Sequence, residues 1–134
     1  YFRPNGLSFS SVLPSIIFYK DSPWMVLGSP GSQRIFTAMS QFIINVADRN
    51  MTIYEAMEGP RMHYSINNLI SIEADRFHPS VLSRLKEEGY EIDRRGTHSF
   101  YFGSIQTVLK EQSGGGGFQG IADLRRDGTA GGIE

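Results

Sequence analysis

The chain has 134 residues, of which 40% are hydrophobic and 20% charged, and its formal net charge is −1. This is one ordinary domain's worth of chain, with material for a core and no charge excess to hold a polyanion such as nucleic acid. There is no cysteine, which excludes a disulfide scaffold and thiolate zinc sites, and no apolar run approaches the roughly 20 residues of a membrane span.

Tyr1 rather than Met opens the sequence, so it reads as an internal fragment or processed chain whose targeting signal would lie upstream. The first apolar, β-branched run, Ser11 to Tyr19, predicts a buried strand, with Pro14 tolerable at an edge or a bent start. Lys20 to Pro23 predicts a turn, and Trp24 to Leu27 a second strand that completes a hairpin. Gly28-Ser29-Pro30-Gly31-Ser32 is too rich in turn formers to be other than a tight loop. After it the period becomes helical. Ile35, Ala38, Met39, Phe42, Ile43, Val46 and Ala47 form one stripe, and Phe36 and Ile44 lie off it, so a helix covered on more than one side is expected.

Thr52 and Glu55 have the spacing of a capping box, which predicts a short helix to about Glu58, before Gly59-Pro60. Arg61 to Ile66 and Leu69 to Glu73 predict two short strands around Asn67-Asn68. Pro79 opens a further helix with Val81, Leu82 and Leu85 inward and Gly89 as its stop. Phe100 to Leu109 and Phe118 to Ala122 predict two more strands, joined by the Ser113 to Gly117 loop as a long hairpin connection. Asp123 to Gly128 is dense in charge and reads as a solvated turn with a local ion pair. Helices and strands mix without a regular βαβ rhythm, which favours a layered α+β fold in one domain, residues 1–134.

Chemistry is sparse. The strand–Gly28 to Ser32–helix junction is either a plain connecting turn or a site for an anion. A helix start leaves N–H groups unpaired at an electropositive end, and these can hold a phosphate, a carboxylate or an acyl-transfer oxyanion. It is not a P-loop, because Gln33-Arg34 follow where Lys-Ser/Thr would be needed. Ser10-Ser11 is a strand entry or a pair of hydroxyls for a substrate carboxylate. His63, His78 and His98 have no metal-motif spacing; His63 suits a packed or hydrogen-bonded position and His78 a helix entry. No metal or cofactor site is expected.

In order along the chain, these segments resemble the small subunit of γ-glutamyltranspeptidases. That family reads roughly S-S-M-x-P-T, then a strand pair, then G-S-P-G-G-x-x-I and a long helix. Here the residues are Ser10-Ser11-Val12-Leu13-Pro14-Ser15 and Gly28-Ser29-Pro30-Gly31-Ser32-Gln33-Arg34-Ile35. The family's A-x-x-x-P-R-x-H is matched by Ala56 to His63 and its A-D-P-R-x-D-G by Ala122 to Gly128.

The resemblance implies an N-terminal-nucleophile hydrolase fold of αββα layers, of which this chain supplies only the C-terminal part of the small subunit. It implies a self-cleaving precursor whose exposed threonine attacks the γ-glutamyl carbonyl of glutathione-type amides, and that threonine should precede Tyr1. The partner is then the large subunit or upstream segment of the same precursor, and the ligand is a small γ-glutamyl substrate. Gly31 and Ser32 map onto the oxyanion donors, and Ser10 and Ser11 onto contacts to the donor's α-carboxylate. Ser32 replaces the family's second glycine and Val12 its methionine. Any residue but proline keeps an N–H, but a positive φ at Ser32 would be costly and would turn its side chain toward the site. These two departures leave open a related acylase on another amide (a β-lactam side chain or a polyglutamate) and a non-catalytic relative.

Overall fold

The computed structural model describes residues 4–7, 10–112 and 116–132. Strand β1 is Ser15–Tyr19 and β2 is Ser22–Gly28, paired antiparallel with Ser15 opposite Leu27. The strand begins four residues later than the sequence suggests, just past Pro14, since proline cannot enter the ladder without losing a donor. The turn is also tighter than expected. It is Lys20-Asp21, both at positive φ (47° and 60°), the geometry that suits the twist of a two-residue hairpin. Ser22 and Pro23 therefore belong to β2, and pairing on the strand's other side starts only at Met25, leaving Pro23 beyond that ladder.

Helix α1, Arg34–Ala47, buries Ile35, Ala38, Met39, Phe42 and Val46 on the stripe read from the sequence. Phe36 and Ile44 are exposed, so cover on a second side does not come from the described residues. Helix α2, Ile53–Glu58, has the full capping box: Thr52 Oγ1 accepts from the Glu55 N–H at 3.2 Å, and Glu55 Oε2 accepts from the Thr52 N–H at 2.9 Å. Both helices pack on the inner face of a four-stranded antiparallel sheet of order β1-β2-β6-β7, where β6 is Gln106–Lys110 and β7 is Phe118–Ala122. Met25, Leu27, Phe42, Met57 and Ile105 sit at the centre of that core. Of the expected connection, Ser113 to Gly117, residues 113–115 lie outside the described residues, but Lys110 faces Phe118 and the Glu111 N–H donates to the Gly117 carbonyl, as a hairpin requires.

A second sheet holds β3 (Met62–Ser65), β4 (Leu69–Glu73) and β5 (Glu91–Arg95). Helix α3, Pro79–Glu87, links β4 to β5 in parallel, so one βαβ unit is present where no such rhythm was expected. His78 caps α3 as anticipated, its Nδ1 accepting from the Ser80 N–H at 3.3 Å. Gly89 and Tyr90 close it by donating to the Lys86 and Leu85 carbonyls. β4 is buried on both faces: Ile70 and Ile72 meet Leu82, Leu85 and Tyr90, while Ser71 and Glu73 point the other way.

β5 was not legible as a strand, because Glu91-Ile92-Asp93-Arg94-Arg95 is mostly charged. Pairing with β4 forms it nonetheless, and Asp93 and Arg95 bond each other at 2.6 Å. The expected strand Phe100 to Leu109 divides. Phe100–Phe102 is a 3₁₀ turn, Gly103 (φ 77°) reverses the chain, and the ladder begins at Gln106.

Candidate functional site

Gly28 ends β2, and the chain passes through Ser29-Pro30-Gly31-Ser32 into α1. Gly31 has φ 146° and Ser32 φ 55°, so the serine takes the left-handed conformation whose cost the sequence flagged. The Gly31 and Ser32 carbonyls accept from the Arg34 and Ile35 N–H groups, both at 3.1 Å. Their own N–H groups donate to no acceptor among the described residues. Gln33, at the N-cap, offers no side-chain cap, and the first turn carries no acid. Among the described residues, two backbone donors are thus without an acceptor at the positive end of a 14-residue helix, and that helix's first turn holds no carboxylate to compete for them.

Ser10 and Ser11 precede β1 and are not in a strand. Ser10 is exposed and its Oγ accepts from the Val12 N–H at 3.3 Å. Because Ser15 lies opposite Leu27, the chain before β1 and the chain after β2 leave the sheet at the same end. The topology therefore brings Ser10-Ser11 and Gly31-Ser32 to one sheet end. An open recess of about 510 Å³, lined by Pro14, Gly28, Gln106 and Ala122 among others, adjoins that end but includes none of the four candidate residues.

The remaining sequence motifs converge on a buried charge network. Arg125 donates to Glu73 through Nε and Nη2, both at 2.7 Å, and to the Met57 and Gly59 carbonyls at 3.1 Å. Arg61 Nη2 meets Asp123 Oδ2 at 2.6 Å. Asp123 also accepts from the Ile105 N–H, and Glu73 from the N–H groups of Arg61 and Ser99. All four side chains are 3% exposed or less. Burial, and then the nearby Arg125 charge, lower the Arg61 pKa to about 10. For Arg125 burial also pulls downward, but the hydrogen bonds and charge of Glu73 outweigh it and the pKa is raised. The expected solvated turn at Asp123 to Gly128 is thus corrected: Asp123 and Arg125 point inward, while Leu124 and Asp127 are exposed. Glu73 carried no signal beyond closing an apolar strand.

His63 is buried on β3, its Nδ1 3.0 Å from Thr37 Oγ1 on α1, which bears out the packed, hydrogen-bonded reading. Burial, and then the Arg34 charge, lower its pKa and favour the neutral ring. His98 meets Glu58 at 3.0 Å. Among the described residues no cluster of His, Asp and Glu could hold a metal ion, and no helix is long and apolar enough to cross a membrane.

Residues 1–133 match the family model of gamma-glutamyltranspeptidase. The chain belongs to the γ-glutamyltranspeptidase family. It is 32% identical over 131 residues to the glutathione hydrolase proenzyme of Bacillus subtilis (strain 168), covering 98% of this chain and 22% of that protein. The chain therefore spans about a fifth of the length of that relative. The solved γ-glutamyltranspeptidase of Pseudomonas nitroreducens in complex with L-DON superposes with a TM-score of 0.83 at 27% identity, over 99% of this chain and 67% of that one. The cephalosporin acylase of Bacillus halodurans shares the fold, with a TM-score of 0.81 at 20% identity over 90% of this chain and 22% of that one. The α+β, N-terminal-nucleophile hydrolase-like architecture, matched over part of the solved chains, is the one expected from the sequence.

Proposed function

We propose that residues 1–134 form the C-terminal portion of a small-subunit domain that transfers or hydrolyses γ-glutamyl groups, acting with the large subunit or upstream segment of the same precursor. The observation that carries this reading is the pair of N–H groups at Gly31 and Ser32, without an acceptor among the described residues, just before α1 in a chain of this family.

In the proposed reaction the hydroxyl of an upstream N-terminal threonine attacks the γ-carbonyl of a glutathione-type amide. Its proton passes to the threonine's own α-amine or to a water held there. The carbonyl oxygen gathers negative charge and accepts from Gly31 and Ser32, donors already aimed and therefore free of reorganisation cost. Collapse expels the amine with a proton, and water or an acceptor amine then resolves the ester. The hydroxyls of Ser10 and Ser11 hold the donor's α-carboxylate at the same sheet end and so fix the carbonyl against its donors. Neither a metal nor an organic cofactor takes part in this scheme.

A second reading is an acylase on another amide, such as a β-lactam side chain or a polyglutamate. It is supported by the exposed Ser32 in the second glycine's place and by Val12 beside the paired serines. Turnover of three substrates by the whole protein separates the readings: a γ-glutamyl anilide, a cephalosporin side-chain amide and poly-γ-glutamate. Turnover of the anilide alone is expected. Preference for either of the others transfers the assignment to the second reading, and no turnover of any makes the protein a non-catalytic relative.

A further inference from the structure

The Pro30–Gly31 peptide is held from its carbonyl side. A peptide unit is planar and trans, so the Pro30 C=O and the Gly31 N–H point in opposite directions, and fixing one fixes the other. Ser29 Oγ donates to the Pro30 carbonyl oxygen at 2.9 Å. Gly103 packs against the same group. A Cβ on Gly103 would collide with the Pro30 oxygen and lie 3.2 Å from Ser29 Oγ, and a Cβ on Gly31 would come within 3.3 Å of the Gly103 Cα. Two loops therefore touch backbone to backbone, with no side chain between them.

The Gly103 side of this contact is anchored. Its N–H donates to the Phe100 carbonyl, the Phe102 N–H to Ser99, and the Ser99 N–H to the buried Glu73 carboxylate. Ser104 and Ile105, which follow, are 1% and 0% exposed. The Pro30 carbonyl thus rests on a wall tied to the buried charge network, while proline's ring restricts the chain just ahead of it.

We propose that Ser29 and Gly103 are positioning residues that clamp the Pro30–Gly31 peptide and so aim the Gly31 N–H at the reacting oxygen. This rests on the assignment of Gly31 as an oxyanion donor. Neither residue touches substrate; both act through one peptide plane.

The test uses Ser29→Ala, Ser29→Thr and Gly103→Ala in the whole protein, with γ-glutamyl anilide kinetics and a crystal structure of each variant. Ser29→Ala is expected to lower kcat about tenfold with KM held within about twofold, because a misaimed donor is lost mainly in the transition state. Ser29→Thr, which keeps the hydroxyl, restores kcat. Gly103→Ala, strained at φ 77° and pressed on the Pro30 oxygen, is expected to lower kcat on the order of 10²-fold and to show a rotated Pro30–Gly31 peptide. If Gly103→Ala does not fold, the Ser29 pair carries the test. An unrotated peptide with normal kcat overturns the clamp and leaves the oxyanion assignment standing. A rotated peptide with normal kcat overturns that assignment, and with it the catalytic part of the proposal. Peptide orientation is read from the structures whatever the activity.

Discussion

Ser32 carries a backbone conformation that suits glycine, at φ 55°. A left-handed L-residue costs about 1–2 kcal/mol, and part of any gain on returning to glycine is spent on the freer unfolded chain. Ser32→Gly is therefore expected to stabilise the protein by up to about 1 kcal/mol while keeping kcat, since the N–H survives. A thermal melt and a kinetic assay check it, and a large loss of kcat would show that the Ser32 side chain itself contacts substrate. At the other pair of candidate residues, Ser10→Ala and Ser11→Ala should each raise KM roughly tenfold, the scale of a hydrogen bond to a charged group. Unchanged kinetics in both variants remove the carboxylate assignment. Both pairs are candidates because of their order in the resemblance to the family; residue type alone left one as a plain turn and the other as a strand entry. The positive φ was legible only as a conditional cost. Gly103 gave no warning, since its role comes from a contact with a loop more than seventy residues away.

Elements are joined here through polar groups as much as through apolar ones. Glu73→Gln removes the nearer of the two carboxylates facing Arg125, leaving Asp123 at 3.3 Å, and is expected to destabilise by about 3 kcal/mol, the low end for a broken buried ion pair. Glu88→Gln, at the exposed Arg84 pair of α3, should cost under about 1 kcal/mol. Urea titration of both variants compares the two, and similar values would show the network to be energetically idle. His63 links β3 to α1 and gives a pH signature. Its folded pKa lies below the ordinary value of 6.5, so the unfolded chain binds more protons in the window below that pH. Stability from this group is full above about 6.5 and falls as pH drops toward the folded pKa. Melting temperatures between pH 7 and 5 should decline less in His63→Gln than in the parent; equal declines assign the effect elsewhere.

The α1 stripe and the α2 capping box were legible because both are periodic or local. β5 and the Asp123–Arg125 pair were not. Charged residues read as solvated until a partner strand or counterion is known, and those partners lie far off in sequence.

At the scale of the whole molecule, one face of the four-stranded sheet builds the core, and the other is covered among the described residues only in part, by Pro14 and the Thr129 to Gly131 tail. Ile16, Val26 and Val108 form a single cross-strand row, with exposures of 59%, 49% and 46%. Ordinary surfaces seldom align apolar side chains this way. It is what one sheet of an αββα sandwich looks like when seen without the other, and Phe36 and Ile44 repeat the theme on α1. Residues 1–134 produced alone are expected to bind a hydrophobic dye and to self-associate, with both effects suppressed when the upstream segment proposed above is present. A dye-silent, monodisperse monomer would count against a missing layer over this face. Layer type was legible from the alternation of helix and strand; which face stays open was not, because a strand pattern does not say what lies across it.

The buried charge network also sets an order of assembly. Its four members are Arg61, Glu73, Asp123 and Arg125, and the last two lie far beyond the first two along the chain. Until they arrive, Arg61 and Glu73 lack the partners that make their burial tolerable, so α2, β3 and β4 gain by staying hydrated or loosely formed. Closing this long loop carries an entropy cost that local elements do not, so the later segment, Asp123 to Arg125, is the one that completes the buried network.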